Sequence, residues 1–154
     1  MALQRNGTLL LLVLLGLAFT TGCGELEGFL DSLPAEGEIQ GESFRFQSGT
    51  AERTTSGYTL TLSNSRDFTC SVTPSGQYLT VVAVDIQNEG RVDAPGNVTF
   101  NQRNDEFGGL PLGATSGFVS IDRIDNEFQE IEGYIDAQGD ESAVRGDFLV
   151  PICP

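Results

Sequence analysis

Tyr78-Leu79-Thr80-Val81-Val82-Ala83-Val84-Asp85-Ile86 is the stretch that decides the fold. It is nearly all apolar and reads as a central strand buried on both faces. Upstream, Tyr58, Leu60 and Leu62 alternate with Thr59 and Thr61, and Phe44 and Phe46 share one face with Arg45 and Gln47 on the other. Downstream, Val98 and Phe100 are followed by Asn101 to Ser116, a polar, Gly-rich stretch that reads as a loop. Val119 and Ile121 come next, then Ile131, Gly133 and Ile135, and the chain closes on Val144, Gly146, Phe148, Val150 and Ile152. Roughly seven or eight short strands at regular spacing, with turn residues between them and no convincing helix, predict an all-β antiparallel sandwich, with a closed barrel as the alternative. Phe44, Phe46, Phe100, Phe148 and the aliphatics are bulky enough to fill a sandwich. A ligand-holding barrel of the lipocalin type would instead keep a cavity of roughly several hundred Å³.

The N-terminus is written in a different language. Arg5 and the α-amino group precede the apolar run Leu9 to Phe19, which is followed by Thr20-Thr21-Gly22-Cys23. The run has the length of a signal h-region and is too short to span a ~30 Å hydrocarbon core as a helix. This segment resembles the bacterial lipoprotein signal, in which small residues lead into a cysteine that is acylated and becomes the mature N-terminus; Thr20 stands where that signal usually has an aliphatic residue. The resemblance implies residues 1–22 as signal peptide, Cys23 as the lipidated residue, and a location on the bacterial cell envelope, at the outer membrane or cell surface. The residues alone also suit an ordinary secretory signal. No twin-arginine pair is present, so the general secretion route is implied.

Residues 23–38 then form a lipidated tether, and 39–154 the all-β domain. Within the tether, Leu26, Phe29, Leu30 and Leu33 fall at helical spacing and stop before Pro34, enough for a turn or two of helix. Glu25, Glu27 and Asp31 argue against strong membrane binding by that helix. The domain resembles the small all-β lipoproteins of bacterial envelopes in three places. These are Gly37-x-Ile39-x-Gly41 leading to Phe44-x-Phe46-x-x-Gly49-x-Ala51, then Asp67-Phe68-Thr69-Cys70, and the ending Gly146 to Cys153. These are structural motifs, and the resemblance implies no activity.

The chain has three cysteines. With Cys23 lipidated, Cys70 and Cys153 remain as a pair, and an exported chain meets an oxidising compartment, so a Cys70–Cys153 disulfide is expected. Two free buried thiols are the alternative. Without His, two thiols do not make a zinc site.

Formal net charge is -14, from 22 Asp+Glu against 8 Lys+Arg. All the basic residues are Arg, and there is neither Lys nor His. Such a surface repels nucleic acid and anionic lipid. The missing His removes Ser-His-Asp and Cys-His catalysis, and the missing Lys removes Schiff-base chemistry. Carboxylate pairs could hydrolyse glycosides, but so many acids always give some pairs, so no enzyme activity is expected. No cofactor is expected either, Ca²⁺ excepted. Asn97-Val98-Thr99 fits a glycosylation sequence and reads here as the start of a strand. The expected job is that of a structural or interaction module, with a small-ligand-binding barrel as the alternative.

The last two hairpins can be set in register. A four-residue turn Gln138-Gly139-Asp140-Glu141 pairs Ile135 with Val144, Gly133 with Gly146 and Ile131 with Phe148. A three-residue turn at Asp125-Asn126-Glu127, with Asn126 left-handed, pairs Ile121 with Ile131 and Val119 with Gly133. The outer face then sets Glu132 against Asp147 and Asp122 against Glu130, where like charges repel. Either the side chains splay into water or something positive lies between them. In that register Arg123 and Arg145 stand on different faces from each other. Asp122, Glu130, Glu132 and Asp147 are therefore the candidate site for a weak Ca²⁺ or a partner.

Overall fold

A computed structural model describes residues 33–75, 77–103 and 111–154. The h-region helix, Cys23, and Leu26, Phe29 and Leu30 of the expected tether helix lie outside the described residues. The described chain is all-β and antiparallel: β1 (Glu36–Ile39), β2 (Glu42–Arg45), β3 (Ser48–Thr54), β4 (Gly57–Ser63), β5 (Tyr78–Ile86), β6 (Gly90–Asp93), β7 (Val98–Arg103), β8 (Leu112–Asp125), β9 (Glu130–Gly139) and β10 (Ser142–Pro151). The strands run β2-β1-β10-β9-β8-β7-β5-β4-β3, with β6 paired to β8 beside that path.

Among the described residues, the expected seven or eight strands become ten. Pairing reaches further than the apolar pattern in both directions. The expected Asn101–Ser116 loop is partly strand, because β7 runs on to Arg103 and β8 begins at Leu112. The expected boundary at residue 39 also moves: β1 begins at Glu36, inside the tether 23–38, and Ala35 is buried in the core. The Ala35 N–H donates to the Asp147 carbonyl at 2.9 Å, the Asp147 N–H to the Leu33 carbonyl at 2.8 Å, and the Phe46 N–H to the Ala35 carbonyl at 2.7 Å. Residues 33–38 are thus knitted to β10 and β2.

The sheet curls through β8, a strand of 14 residues whose start pairs with β7 and whose later part pairs with β6. The curl brings β3 back to the far end of β10. There Ala51 and Ile152 form a parallel bridge, and the Cys153 N–H donates to the Ala51 carbonyl at 2.8 Å. One bridge rather than a ladder joins these strands, so the architecture is a curled half-barrel whose two halves face each other as in a sandwich. The interior is filled. Phe44 and Phe100 are fully buried, Phe148 nearly so, and Ile39, Leu60, Val81, Ile86, Val98, Val119, Ile121, Ile131, Ile135 and Val144 complete one cluster. Each such aliphatic or aromatic side chain contributes about 1.5–3 kcal/mol by leaving water. β5 is buried on both faces along Tyr78, Leu79, Thr80 and Val81. On its outer side Phe68, from the β4–β5 connection, packs 6.3 Å from Tyr78, centroid to centroid.

Two glycines are forced by close approach. A Cβ on Gly133 would sit 2.2 Å from the Ser120 carbonyl oxygen and 2.8 Å from Cζ of Phe148, so the absent side chain is what admits the Phe148 ring. Gly117 has φ +104°, and a Cβ there would meet the Asp136 carbonyl oxygen at 1.9 Å. Only glycine takes that conformation without strain.

Candidate functional site

The expected disulfide is present. Cys70 and Cys153 have Cα atoms 5.4 Å apart and join the β4–β5 connection to the residues just past β10, within the range a disulfide requires. Thr69 and Val72 exchange backbone hydrogen bonds around Cys70, which gives this connection a turn of its own.

The acidic stripe is not assembled as the sequence register implies. The β9–β10 turn has two residues, Asp140 and Glu141, with Glu141 at φ +50°. Phe148 therefore pairs with Gly133 and Val150 with Ile131, a shift of two residues that keeps the apolar face but moves every outer pair. Glu132 lies opposite Leu149, and Asp147 opposite Tyr134. In the β8–β9 hairpin the left-handed residue is Gln129, φ +55°, not Asn126. The turn has four residues, and Glu130 pairs with Asp125 rather than Asp122. Ile121 pairs with Gly133 and Val119 with Ile135, and the register slips between Ile121 and Arg123. Asp122 sits at that slip, where the Ser120 hydroxyl donates to its carboxylate at 3.0 Å. Among the described residues, no group of three or more Cys, Asp or Glu is placed to hold a metal ion.

The bulge has an electrostatic consequence. It turns Arg123 to the outer face, the same face as Arg145, where the unbroken alternation would place them on different faces. Arg123 Nη2 lies 3.1 Å from a Glu132 carboxylate oxygen, and Nη1 lies 2.7 Å from Asp125. The hydrogen bond that Arg123 donates to Glu132 and the fields of Glu132, Asp125 and Glu130 raise the Arg123 pKa above its ordinary value. The positive charge between the carboxylates is thus the chain's own arginine. These groups are solvent-exposed, so water screens the pairs and they add little to stability. Along the same face Arg91 stacks on Phe118 at 3.7 Å from the ring centroid, Phe118 lies 6.0 Å from Tyr134, and Arg145 hydrogen-bonds the Tyr134 hydroxyl. Arg145 pairs across the sheet with both Asp136 and Glu36. The outer face of β6, β8, β9, β10 and β1 is a set of charges and rings that partner one another.

Among the described residues, two clefts bear on the site. One, of about 320 Å³, is lined by Glu36, Asp136, Gln138, Ala143 and Arg145 among others, and its charged groups belong to the pairs just described. The other, of about 370 Å³, is lined by Tyr58, Gln87, Asn88, Glu89, Ile124 and Asn126. It gathers the start of β4, the β5–β6 connection and the β8–β9 turn, segments far apart in sequence. Its walls are fixed. The Ile124 N–H donates to a Glu89 carboxylate oxygen at 3.2 Å. Asp125 Oδ1 accepts the Glu127 and Phe128 N–H groups, both at 2.9 Å, and caps the turn. The bond from Phe128, together with that from Glu127 and the nearby Arg123, lowers the Asp125 pKa. Gln129 donates its side-chain amide to the Asn126 carbonyl and accepts a hydrogen bond from Arg53 Nη2 at 3.2 Å, while the Arg53 guanidinium lies 5.7 Å from the Tyr58 ring centroid. Arg53 on β3 thereby ties Tyr58 to the turn that carries Asn126.

Compared with protein-family models, curated proteins and solved structures, the chain matches none.

Proposed function

We propose that this chain is a lipid-anchored protein of the bacterial cell envelope, held by an acyl group on Cys23, whose half-barrel works as an interaction module rather than an enzyme. The observation that carries the reading is the cysteine count. Cys70 and Cys153 are joined to each other, which leaves one of three cysteines over, and that one ends Thr20-Thr21-Gly22-Cys23 behind an apolar run. A disulfide also suits an exported protein. Partners would meet the outer surface and the loop ends, because the interior is filled by Phe44, Phe100 and Phe148. That filling argues against the alternative of an enclosed apolar ligand. The net charge of -14 argues against nucleic acid as a partner.

Metabolic labelling with a palmitate analogue in a bacterial host tests the anchor. The wild-type chain takes up label and Cys23→Ala takes up none; label persisting in Cys23→Ala refutes the reading. Cross-linking in intact envelopes followed by affinity purification tests the module. A specific co-purifying envelope protein supports it, and recovery of the protein with none opposes it.

A further inference from the structure

The cleft bounded by Tyr58, Gln87–Glu89, Ile124 and Asn126 has a chemistry that selects its ligand. At about 370 Å³ it falls at the small end of ligand pockets. A cation is a poor fit. The lining holds one carboxylate, Glu89, which already accepts the Ile124 N–H. The adjacent Asp125 is taken by two backbone N–H groups and by Arg123. An anion is a poor fit, because no Arg lines the cleft; Arg53, behind Tyr58, is turned to Gln129. A large apolar ligand is a poor fit too, since among the described residues Tyr58 and Ile124 are the only apolar side chains in the lining.

What remains is amide chemistry. Gln87, Asn88 and Asn126 are exposed, and their side-chain amides make no hydrogen bond among the described residues. Each offers both a donor and an acceptor, the complement of a hydroxyl that must do the same. Tyr58 and Ile124 supply the apolar surface that the C–H side of a polyhydroxylated ring needs, and aromatic side chains serve that purpose well. The walls come from connections held on a rigid sheet, which is where proteins commonly place binding groups. Asp85, just ahead of the Gln87–Glu89 segment, has φ +59°. It lies at the register shift of the β4–β5 ladder, and this bulge sets the course of the chain into the Gln87–Glu89 segment.

We propose that this cleft binds a neutral saccharide, one pyranose ring or the end of a glycan chain. The ring's hydroxyls exchange hydrogen bonds with the amides of Gln87, Asn88 and Asn126, and its apolar side rests on Tyr58 and Ile124. The proposal stands independently of the acyl anchor.

Saturation-transfer NMR on the full chain in detergent tests it, with methyl glucoside, methyl galactoside and N-acetylglucosamine as probes and glucuronate as the charged comparison. Transfer to at least one neutral sugar is expected. The double substitution Gln87→Ala with Asn88→Ala removes two exposed side chains and should leave the thermal midpoint unchanged. It should weaken binding about tenfold, the scale of losing two hydrogen bonds. Gln138→Ala, in the other cleft, should change nothing. No transfer to any neutral sugar, equal transfer in the double variant, or a stronger response to glucuronate would each overturn the proposal.

Discussion

Removing the Cys70–Cys153 bond is the perturbation whose size the structure fixes most directly. The bond closes a loop with a sequence separation of 83 residues. On the chain-entropy relation, closing a loop of that length restricts the unfolded chain by about 15 cal/mol/K, or about 4.5 kcal/mol at 25 °C. Little should be lost in the folded state, because β10 keeps its ladder to β9 and the Cys153 N–H keeps the Ala51 carbonyl. The expected cost of Cys70→Ser with Cys153→Ser is therefore about 3–4.5 kcal/mol, expressed through the unfolded ensemble. With a urea m-value of about 1.5–2 kcal/mol/M for a domain this size, the midpoint should fall by about 1.5–3 M. The slope should also rise, because an uncrosslinked unfolded chain exposes more surface. Equilibrium urea unfolding followed by circular dichroism measures both, and wild type under reductant should coincide with the double variant. A midpoint that moves by less than about 0.5 M would show that the bond does not close this loop in the native protein.

Phe100→Ala should cost about 3–5 kcal/mol by calorimetry, because a wholly buried ring leaves a cavity that the surrounding strands cannot collapse into. Gly117→Ala should destabilise by more than about 1 kcal/mol in the same calorimetry, because the added methyl has no room beside the Asp136 carbonyl and φ is positive. Arg123→Ala removes two exposed, solvent-screened ion pairs and should leave the thermal midpoint nearly unchanged, with amide shifts confined to residues 122–132. Because the folded Asp125 carboxyl has a lowered pKa, its contribution is complete above the ordinary Asp pKa of about 3.9 and is lost only as pH falls through the lower, folded value. The Glu127 and Phe128 amide resonances should report that titration, and a midpoint at or above the ordinary value would contradict the capping role.

The sequence spoke clearly wherever apolar residues alternate at full size. β5 is legible from Tyr78 to Ile86, and β9 and β10 from Ile131–Ile135 and Val144–Val150. β3 is silent for a physical reason. Its inward positions are Gly49 and Ala51, and a Cβ on Gly49 would fall 2.8 Å from Val150 and 3.3 Å from Phe46. Close packing against large partners removed the very side chains that announce a strand. The β9–β10 turn was misplaced for a related reason. Gly139 looks like a turn glycine but is the last residue of β9, with the Phe100 ring 3.2 Å from where its Cβ would be.

The acidic stripe depends on two registers: the two-residue β9–β10 turn moves Asp147 away from Glu132, and the four-residue turn and the bulge at Asp122 move Glu130 away from Asp122. Outer and inner residues exchange at Asp122, and no local pattern signals it, so plain alternation puts Arg123 and Arg145 on different faces where the bulge puts them on one. The charges were legible but their partners were not. The cleft is not legible in the sequence, because Tyr58 on β4, the Gln87–Glu89 connection and Ile124–Asn126 at the end of β8 are far apart in the chain until the curl of the sheet brings them together.

The central claim is that Cys23 carries the anchor. Intact and N-terminal mass spectrometry of the protein extracted from bacterial membranes tests it most directly. The account predicts a chain that begins at Cys23, carries a diacylglyceryl mass on that residue, and keeps Cys70 joined to Cys153. A mature chain that begins elsewhere, or an unmodified Cys23, would contradict it.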